Sequence, residues 1–284
     1  MRGGAILGAA LLASAAAAQT PPPPTMSNAA ENARVALAAA AGPRKIVIVA
    51  DSTAAEYGPD RYPQLGWGQV LKCRLDGEVG VLNLARGGRS SKSYIAEGFF
   101  SDMVKQVTPG DTVLIQFGHN DSAEGRPERY TDPATDFREN LRAYVAVVRA
   151  RSAVPVLITP VAIRRFVNGH AVDAHGAYAR AVREVAAATG TPLIDLSESS
   201  RALIDRLGEA PSRRYFLHYT AADRIARFPQ GVADDVHFSE TGARAIAALV
   251  ADGLRASGAP VAAHVRPGPP ADAPQRVLGR PDCP

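Results

Sequence analysis

Of its 284 residues the chain has only two cysteines and one tryptophan. Neither Cys73 nor Cys283 has partners at zinc-ligand spacing, which excludes a structural zinc site. Cys73 falls in a predicted helix and reads as a buried apolar thiol. The expectation is therefore that the two cysteines do not pair, although an oxidising compartment would allow a bridge. The chain also lacks a dense basic block or a ribbon of aromatic and basic residues, and its formal charge is only +4. That excludes a dedicated nucleic-acid surface and leaves room for an acidic polymer as partner. The apolar run Ala5 to Ala18 is too short for a membrane span and has no stop-transfer flank. No internal repeat is present.

That run has a different reading. Arg2 supplies a positive n-region and Ala16-Ala17-Ala18 before Gln19 an A-x-A cleavage site, so residues 1–18 read as a signal peptide with Gln19 as the mature start. No cysteine stands near the cleavage point to accept a lipid. The mature form is expected to be soluble, without a membrane partner, and exported to the periplasm or the medium. Gln19 to Thr25 is polyproline-like and the alanine-rich stretch from Asn28 has little apolar face, so residues 19–43 read as a linker. Beyond Gly258 the chain has seven prolines and no apolar periodicity, and residues 259–284 are expected to form an irregular or mobile tail. Residues 44–258 are left as one domain, expected to be monomeric. A hydrophobic content of 46% and a charged content of 21% suit a soluble globular protein.

Within that domain strands and helices alternate. Apolar, β-prone runs at 45–50, 79–84, 111–117, 154–159 and 192–196 read as five strands. Helical patterns lie between them, through 67–75, around 95–107, after Asp132-Pro133 as cap and first turn, and over 174–189. A last helix opens at Ser239. Such alternation predicts an α/β fold, a three-layer α/β/α sandwich on a central parallel sheet of about five strands.

In sheets of this kind ligands bind at the carboxyl ends of the strands. Four short blocks are predicted there: Asp51-Ser52-Thr53, Gly87-Gly88-Arg89-Ser90-Ser91, Gly118-His119-Asn120-Asp121 and Asp234-Asp235-Val236-His237. Acyl transfer needs a hydroxyl, a neutral imidazole to take its proton, a carboxylate to orient the imidazole, and N–H donors for the oxyanion. Ser52 can supply the first and His237 the second. Asp234 can orient the imidazole if the segment turns into a helix and brings residues three apart to one face, with Asp235 as a rival. The N–H groups of Ser52 and Gly88 and the Asn120 amide can form the oxyanion hole. Each block alone would be a cap or a turn; the set in this order points to chemistry. Trp67, between two glycines, reads as a packing residue.

These blocks resemble those of the SGNH (GDSL-type) hydrolases. The match is carried by Ala50-Asp51-Ser52-Thr53-Ala54, Asn83 to Ser93, Phe117 to Asp121, Leu157 to Val161 with Arg164-Arg165-Phe166, and Asp234 to Phe238 before Gly242-Ala243. Within that superfamily the sequence closely resembles the rhamnogalacturonan acetylesterases of carbohydrate esterase family twelve, over about residues 45–254. The resemblance implies a flavodoxin-like fold, with Ser52 as nucleophile, Asp234 and His237 completing the triad, and Gly88 and Asn120 in the oxyanion hole. It implies O-acetyl groups on pectic galacturonate as substrate and no cofactor. Ala50 departs from the glycine of the superfamily's Gly-Asp-Ser pattern, which is compatible with ordinary strand dihedrals.

A uronate substrate would need cations at the rim, and Arg89, Arg164 and Arg165, with Arg86 and Lys92 nearby, are the candidates. His170, Asp173 and His175 read as a loop entering a helix, so no metal is expected. His218 and His264 have no assigned role. Two other readings remain open: the same chemistry on a lipid ester or thioester, and a non-catalytic polysaccharide-binding module.

Overall fold

The computed structural model describes residues 45–284. The expected signal peptide and linker, residues 1–43, lie outside the described residues. Five parallel strands form the main sheet: β1 (Lys45–Ala50), β2 (Gly80–Asn83), β3 (Thr112–Gln116), β4 (Val154–Ile158) and β7 (Leu193–Ile194), in the order β2-β1-β3-β4-β7. The reversal between β1 and β3 makes the doubly wound, flavodoxin-like order, whose ligand crevice opens beyond the carboxyl ends of those two strands. Ser52 follows β1 and Gly118 follows β3.

Alternation along each strand builds two cores. Ile46, Ile48 and Ala50 of β1 face one cluster and Val47 and Val49 the other. A parallel strand covered on both faces needs apolar residues at every position, which is why β1 reads as a continuous apolar run. On the first face lie α1 (Trp67–Val70), α6 (Leu196–Leu207) and α8 (Glu240–Ala256), with Leu203, Ile246 and Val250 pointing inward. On the second lie α2 (Ser91–Ala96), α3 (Phe99–Gln106), α4 (Asp136–Ala150) and α5 (Gly176–Thr189), contributing Met103, Leu141, Tyr144 and Val182. A four-residue α7 (Glu209–Ser212) and a small hairpin of β5 (Phe166–Val167) and β6 (His170–Ala171) complete the connections, and β8 (Phe216–Tyr219) pairs antiparallel with β9 (Val232–Phe238).

Four expectations need correction. Helix α4 starts at Asp136, not at Pro133, because the Asp132 side chain accepts the Ala134 N–H at 2.6 Å and closes a turn there first. The stretch around 95–107 is two helices, broken at Gly98 in the left-handed conformation. Residues 259–284 are not a loose tail. Leu75 and Val265 form a β-bridge, Val261 is fully buried, and Glu240 on α8 accepts the N–H groups of Leu278 at 2.8 Å and Gly279 at 3.0 Å. Lastly, Cys73 and Cys283 form a disulfide that closes this tail onto the body. Proline density hid the tail's docking, because it is held by single apolar contacts and side-chain acceptors rather than by a periodic face.

Candidate active site

β1 ends at Ala50, and Asp51-Ser52-Thr53 turns tightly, with Ala54 N–H donating to the Asp51 carbonyl at 3.3 Å. A buried relay fixes the turn from below. Trp67 Nε1 donates to Gln116 Oε1 at 3.0 Å, Gln116 Nε2 to Thr53 Oγ1 at 2.8 Å, and Thr53 Oγ1 to Asp51 Oδ1 at 2.7 Å. Trp67 is thus packed and also anchors the polar chain behind Ser52.

Ser52 Oγ lies 3.0 Å from His237 Nε2, and His237 Nδ1 lies 2.8 Å from Asp234 Oδ2. Burial works against ionising Asp234. Hydrogen bonds from the His237 ring and from the backbone N–H groups of His237 and Val236 outweigh it and hold the carboxyl down to about 2. An ionised Asp234 fixes the Nδ1–H tautomer, leaving Nε2 to accept the serine proton.

The Asp-x-x-His spacing works by a different geometry from the helical turn expected. The two residues sit on β9, where regular pleating would send positions three apart to opposite faces. The pairing with β8 resolves this: Phe216 faces Phe238 and the next residue, Leu217, faces Asp234, so β9 advances four residues while β8 advances one. Asp235, Val236 and His237 are looped out, and Asp234 Oδ1 caps the loop by accepting the N–H of Val236 at 2.8 Å and of His237 at 3.0 Å. Asp235 is engaged elsewhere, accepting from Arg164 Nη1 at 2.8 Å and facing His218 Nε2 at 2.7 Å.

The N–H groups of Ser52 and Gly88 donate to no protein acceptor among the described residues. Gly88 has φ +75°, a conformation that presents its N–H without a side chain in the way. Asn120 Nδ2 gives one hydrogen to the Arg89 carbonyl at 3.1 Å and keeps a second. Asp121, fully buried, joins the two donor loops by accepting from the Ser91 and Gly118 N–H groups, each at 3.0 Å, and from Thr131 Oγ1 at 3.0 Å. Burial pushes its carboxyl up to about 6 in spite of these donors. Gly118, at φ +133°, has no room for a side chain: a Cβ would stand 2.9 Å from Pro160.

Ser52, Gly88, Asn120, Asp234 and His237 share one open cleft of about 520 Å³. The expected substrate arginines are not on it. Arg89 pairs with Glu97 at 2.7 Å, Arg164 is buried against Asp235, and Arg165 is exposed off the cleft. Lys92 reaches the Pro127 carbonyl, and Arg86 lies over the Phe99 ring. The cleft is lined instead by Arg61, Arg129 and Arg227, with Phe228 and His119 beside them. Sequence reasoning missed these three arginines. The only signal was their presence in loops flanking the motif blocks, and the loop bearing Arg227 belongs to the β8–β9 hairpin that periodicity did not show.

His119 Nδ1 lies 3.0 Å from His175 Nε2, and burial followed by the neighbouring His119 lowers the His175 imidazole to about 4, so it stays neutral. His170 faces Asp205 and Asp173 accepts the His175 N–H, so His170, Asp173 and His175 do not converge. Among the described residues no group of three or more His, Cys, Asp or Glu is arranged to hold a metal ion, and no helix is long and apolar enough to cross a membrane.

Comparison with known proteins bears on this geometry. Residues 51–245 match the model of the GDSL-like Lipase/Acylhydrolase family. The chain is 38% identical over 216 residues to a Bacillus subtilis (strain 168) protein named "Probable rhamnogalacturonan acetylesterase YesY", covering 76% of this chain and 94% of that one. It is 35% identical over 224 residues to rhamnogalacturonan acetylesterase RhgT of the same organism, covering 78% and 94%. Among solved structures, the crystal structure of the YxiM protein of Bacillus subtilis superposes with a TM-score of 0.64 at 27% identity, over 76% of this chain and 57% of that one.

Proposed function

The chain belongs to the GDSL-like Lipase/Acylhydrolase family and is a carboxylic ester hydrolase, and from that premise we propose that it removes O-acetyl groups from plant cell-wall polysaccharide, foremost acetylated rhamnogalacturonan. The observation that carries the chemistry is the unbroken line Asp234 Oδ2, His237 Nδ1, His237 Nε2, Ser52 Oγ, with steps of 2.8 and 3.0 Å. The names of the two Bacillus subtilis relatives support the substrate.

In this reading Ser52 Oγ bonds to the acetyl carbonyl carbon while its proton passes to His237 Nε2. The tetrahedral oxyanion takes hydrogen bonds from the N–H groups of Ser52 and Gly88 and from the Asn120 amide, donors already in place before charge develops. Collapse breaks the bond to the sugar oxygen, which takes the proton back from the imidazolium and leaves as an alcohol. Water then adds to the acetyl-enzyme, His237 removes its proton, and acetate is expelled as the serine recovers its hydrogen. Substitution Ser52→Ala should lower acetate release from acetylated rhamnogalacturonan by at least about 10⁴-fold with unchanged circular dichroism; turnover near that of the parent would sink the assignment.

Export is part of the proposal. It is supported by the signal-like residues 1–18 and by the disulfide, a bond that persists in oxidising compartments. Amino-terminal sequencing of exported protein should begin at Gln19.

A further inference from the structure

Ser52 and His237 belong to different sheets. The nucleophile follows β1 of the main sheet, whereas the imidazole rides on the β8–β9 hairpin, which among the described residues pairs with none of the main-sheet strands. The 3.0 Å step between them therefore depends on how the hairpin is fastened to the body. Part of the fastening lies just past the imidazole: the Leu65 N–H donates to the Phe238 carbonyl at 3.2 Å, and Gln64 and Ser239 form a β-bridge. These contacts hold the residues after His237 and not the looped-out stretch that carries it.

That stretch has a tie of its own, from the segment that follows β4. The Arg164 backbone N–H donates to the Asp235 carbonyl at 2.8 Å, and Arg164 Nη1 donates to Asp235 Oδ1 at 2.8 Å. Among the described residues no other hydrogen bond reaches Asp235, Val236 or His237 from outside the hairpin, that of Ser52 itself excepted. The guanidinium is in turn fixed. It is buried, its Nη2 donates to the Glu209 carbonyl at 2.6 Å and its Nε to Ser212 Oγ at 3.2 Å, both on α7, and it lies over the Phe166 ring at 5.5 Å. Just upstream, the Ala162 N–H donates to Ser200 Oγ on α6 at 2.9 Å. His218 Nε2 faces the same Asp235 oxygen at 2.7 Å, but His218 is on β8 and moves with the hairpin, so it joins nothing to the body. Neither Arg164 nor Asp235 lines the Ser52 cleft; with His218 they border a separate depression.

We propose that Arg164 is a positioning residue for the reaction: by gripping Asp235 through backbone and carboxylate, it sets the place of the His237 imidazole against Ser52. A rigid planar fork can hold Asp235, Glu209 and Ser212 at once, which a single ammonium cannot. A catalytic group misplaced by about 1 Å can cost about 10²-fold in rate, so a tie outside the cleft reaches the chemistry without touching substrate. This rests on the esterase reading for the reaction that is served.

The test uses 4-nitrophenyl acetate, an ester without a sugar, so that chemistry is read apart from glycan recognition. Arg164→Met should lower kcat and kcat/KM together by about 10- to 100-fold, with KM within about twofold of the parent's. Asp235→Ala should lose a smaller factor, because the bond to the 235 carbonyl survives, and Asp235→Asn, which keeps an oxygen for Arg164 Nη1, should regain most of it. In the double variant Arg164→Met/Asp235→Ala the two losses should not multiply, since both cut one tie. His218→Gln should leave kcat within about twofold. A readout without turnover is the low-field proton resonance of His237 Nδ1–H: it should shift or broaden in Arg164→Met and stay in place in Cys283→Ser, a variant altered only in the tail. A folded Arg164→Met with kcat within about twofold of the parent's and an unmoved resonance, losses that multiply, or an equal loss in His218→Gln would overturn the assignment. If Arg164→Met does not fold, Asp235→Ala against Asp235→Asn decides, because both leave the buried guanidinium its partners on α7; equal losses in the two would overturn it. Turnover by Ser52→Ala at the parent's rate would refute the esterase reading instead, and a shifted resonance in Arg164→Met would leave the tie to His237 standing.

Discussion

Asp234 shows how much one carboxylate can determine. Its folded pKa of about 2 lies below the ordinary aspartate value near ~3.9. Its contribution to stability is therefore present above the unfolded value and is lost as pH falls from ~4 through about 2. Across any working pH it remains charged, so it keeps the imidazole in the tautomer whose Nε2 can accept the serine proton. Asp234→Asn should cut kcat by about 10³–10⁴-fold through loss of the correct tautomer, and its melting curves should show a smaller stability loss between pH ~4 and ~2 than the parent's, the remainder belonging to Asp195 and the other carboxyls held low. A loss no larger than a few-fold would show that the imidazole is oriented by something else. The arginines teach the opposite lesson at this scale. Arg89 and Arg164 look like ligand-binding cations in the sequence because their carboxylate partners, Glu97 and Asp235, become visible only when the chain is folded.

Elements set where these groups meet. The strands were legible because full burial on both faces writes a continuous apolar run, and α4, α5 and α8 because a 3.6-residue stripe must face the sheet. Ser52, Gly88 and Asn120 were legible for the same reason, since each follows a recognisable strand. The β8–β9 hairpin was not, because its residues are largely half-buried and its register jumps at Phe216/Leu217. The Asp-x-x-His motif was thus found while the element bearing it was mistaken. Between the two donor loops, Asp121 acts as a positioning residue: it accepts from Ser91 on one side and Gly118 on the other. Asp121→Asn replaces one carboxylate oxygen by an NH2, which must face either the Ser91 or the Gly118 N–H. It should reduce kcat by about 10–100-fold, with a smaller effect on KM, and lower the melting temperature, because buried donors are left unpaired. Unchanged kcat with a lowered melting temperature would make its role structural alone.

Across the whole molecule the tail and α8 act together. Helix α8 begins three residues after the looped-out imidazole, and its buried Glu240–Arg244 pair holds the backbone of Leu278, Gly279, Arg280 and Asp282. The disulfide closes the far end of the tail onto Cys73, 210 residues away in sequence. Cys283→Ser should cost about 2–4 kcal/mol of unfolding free energy, read as a lower melting temperature that reductant does not shift further, whereas the parent's melting temperature should fall on reduction. Equal melting temperatures for parent and variant would show that the bond adds nothing to the docked tail.

That covalent closure has a practical side. Protein made in a reducing cytosol would arrive with Cys73 and Cys283 as thiols, its proline-rich end held by the hydrogen bonds to Glu240 and Arg244 and by its other non-covalent contacts. Heat tolerance would then vary from batch to batch with the host strain and the purification buffer.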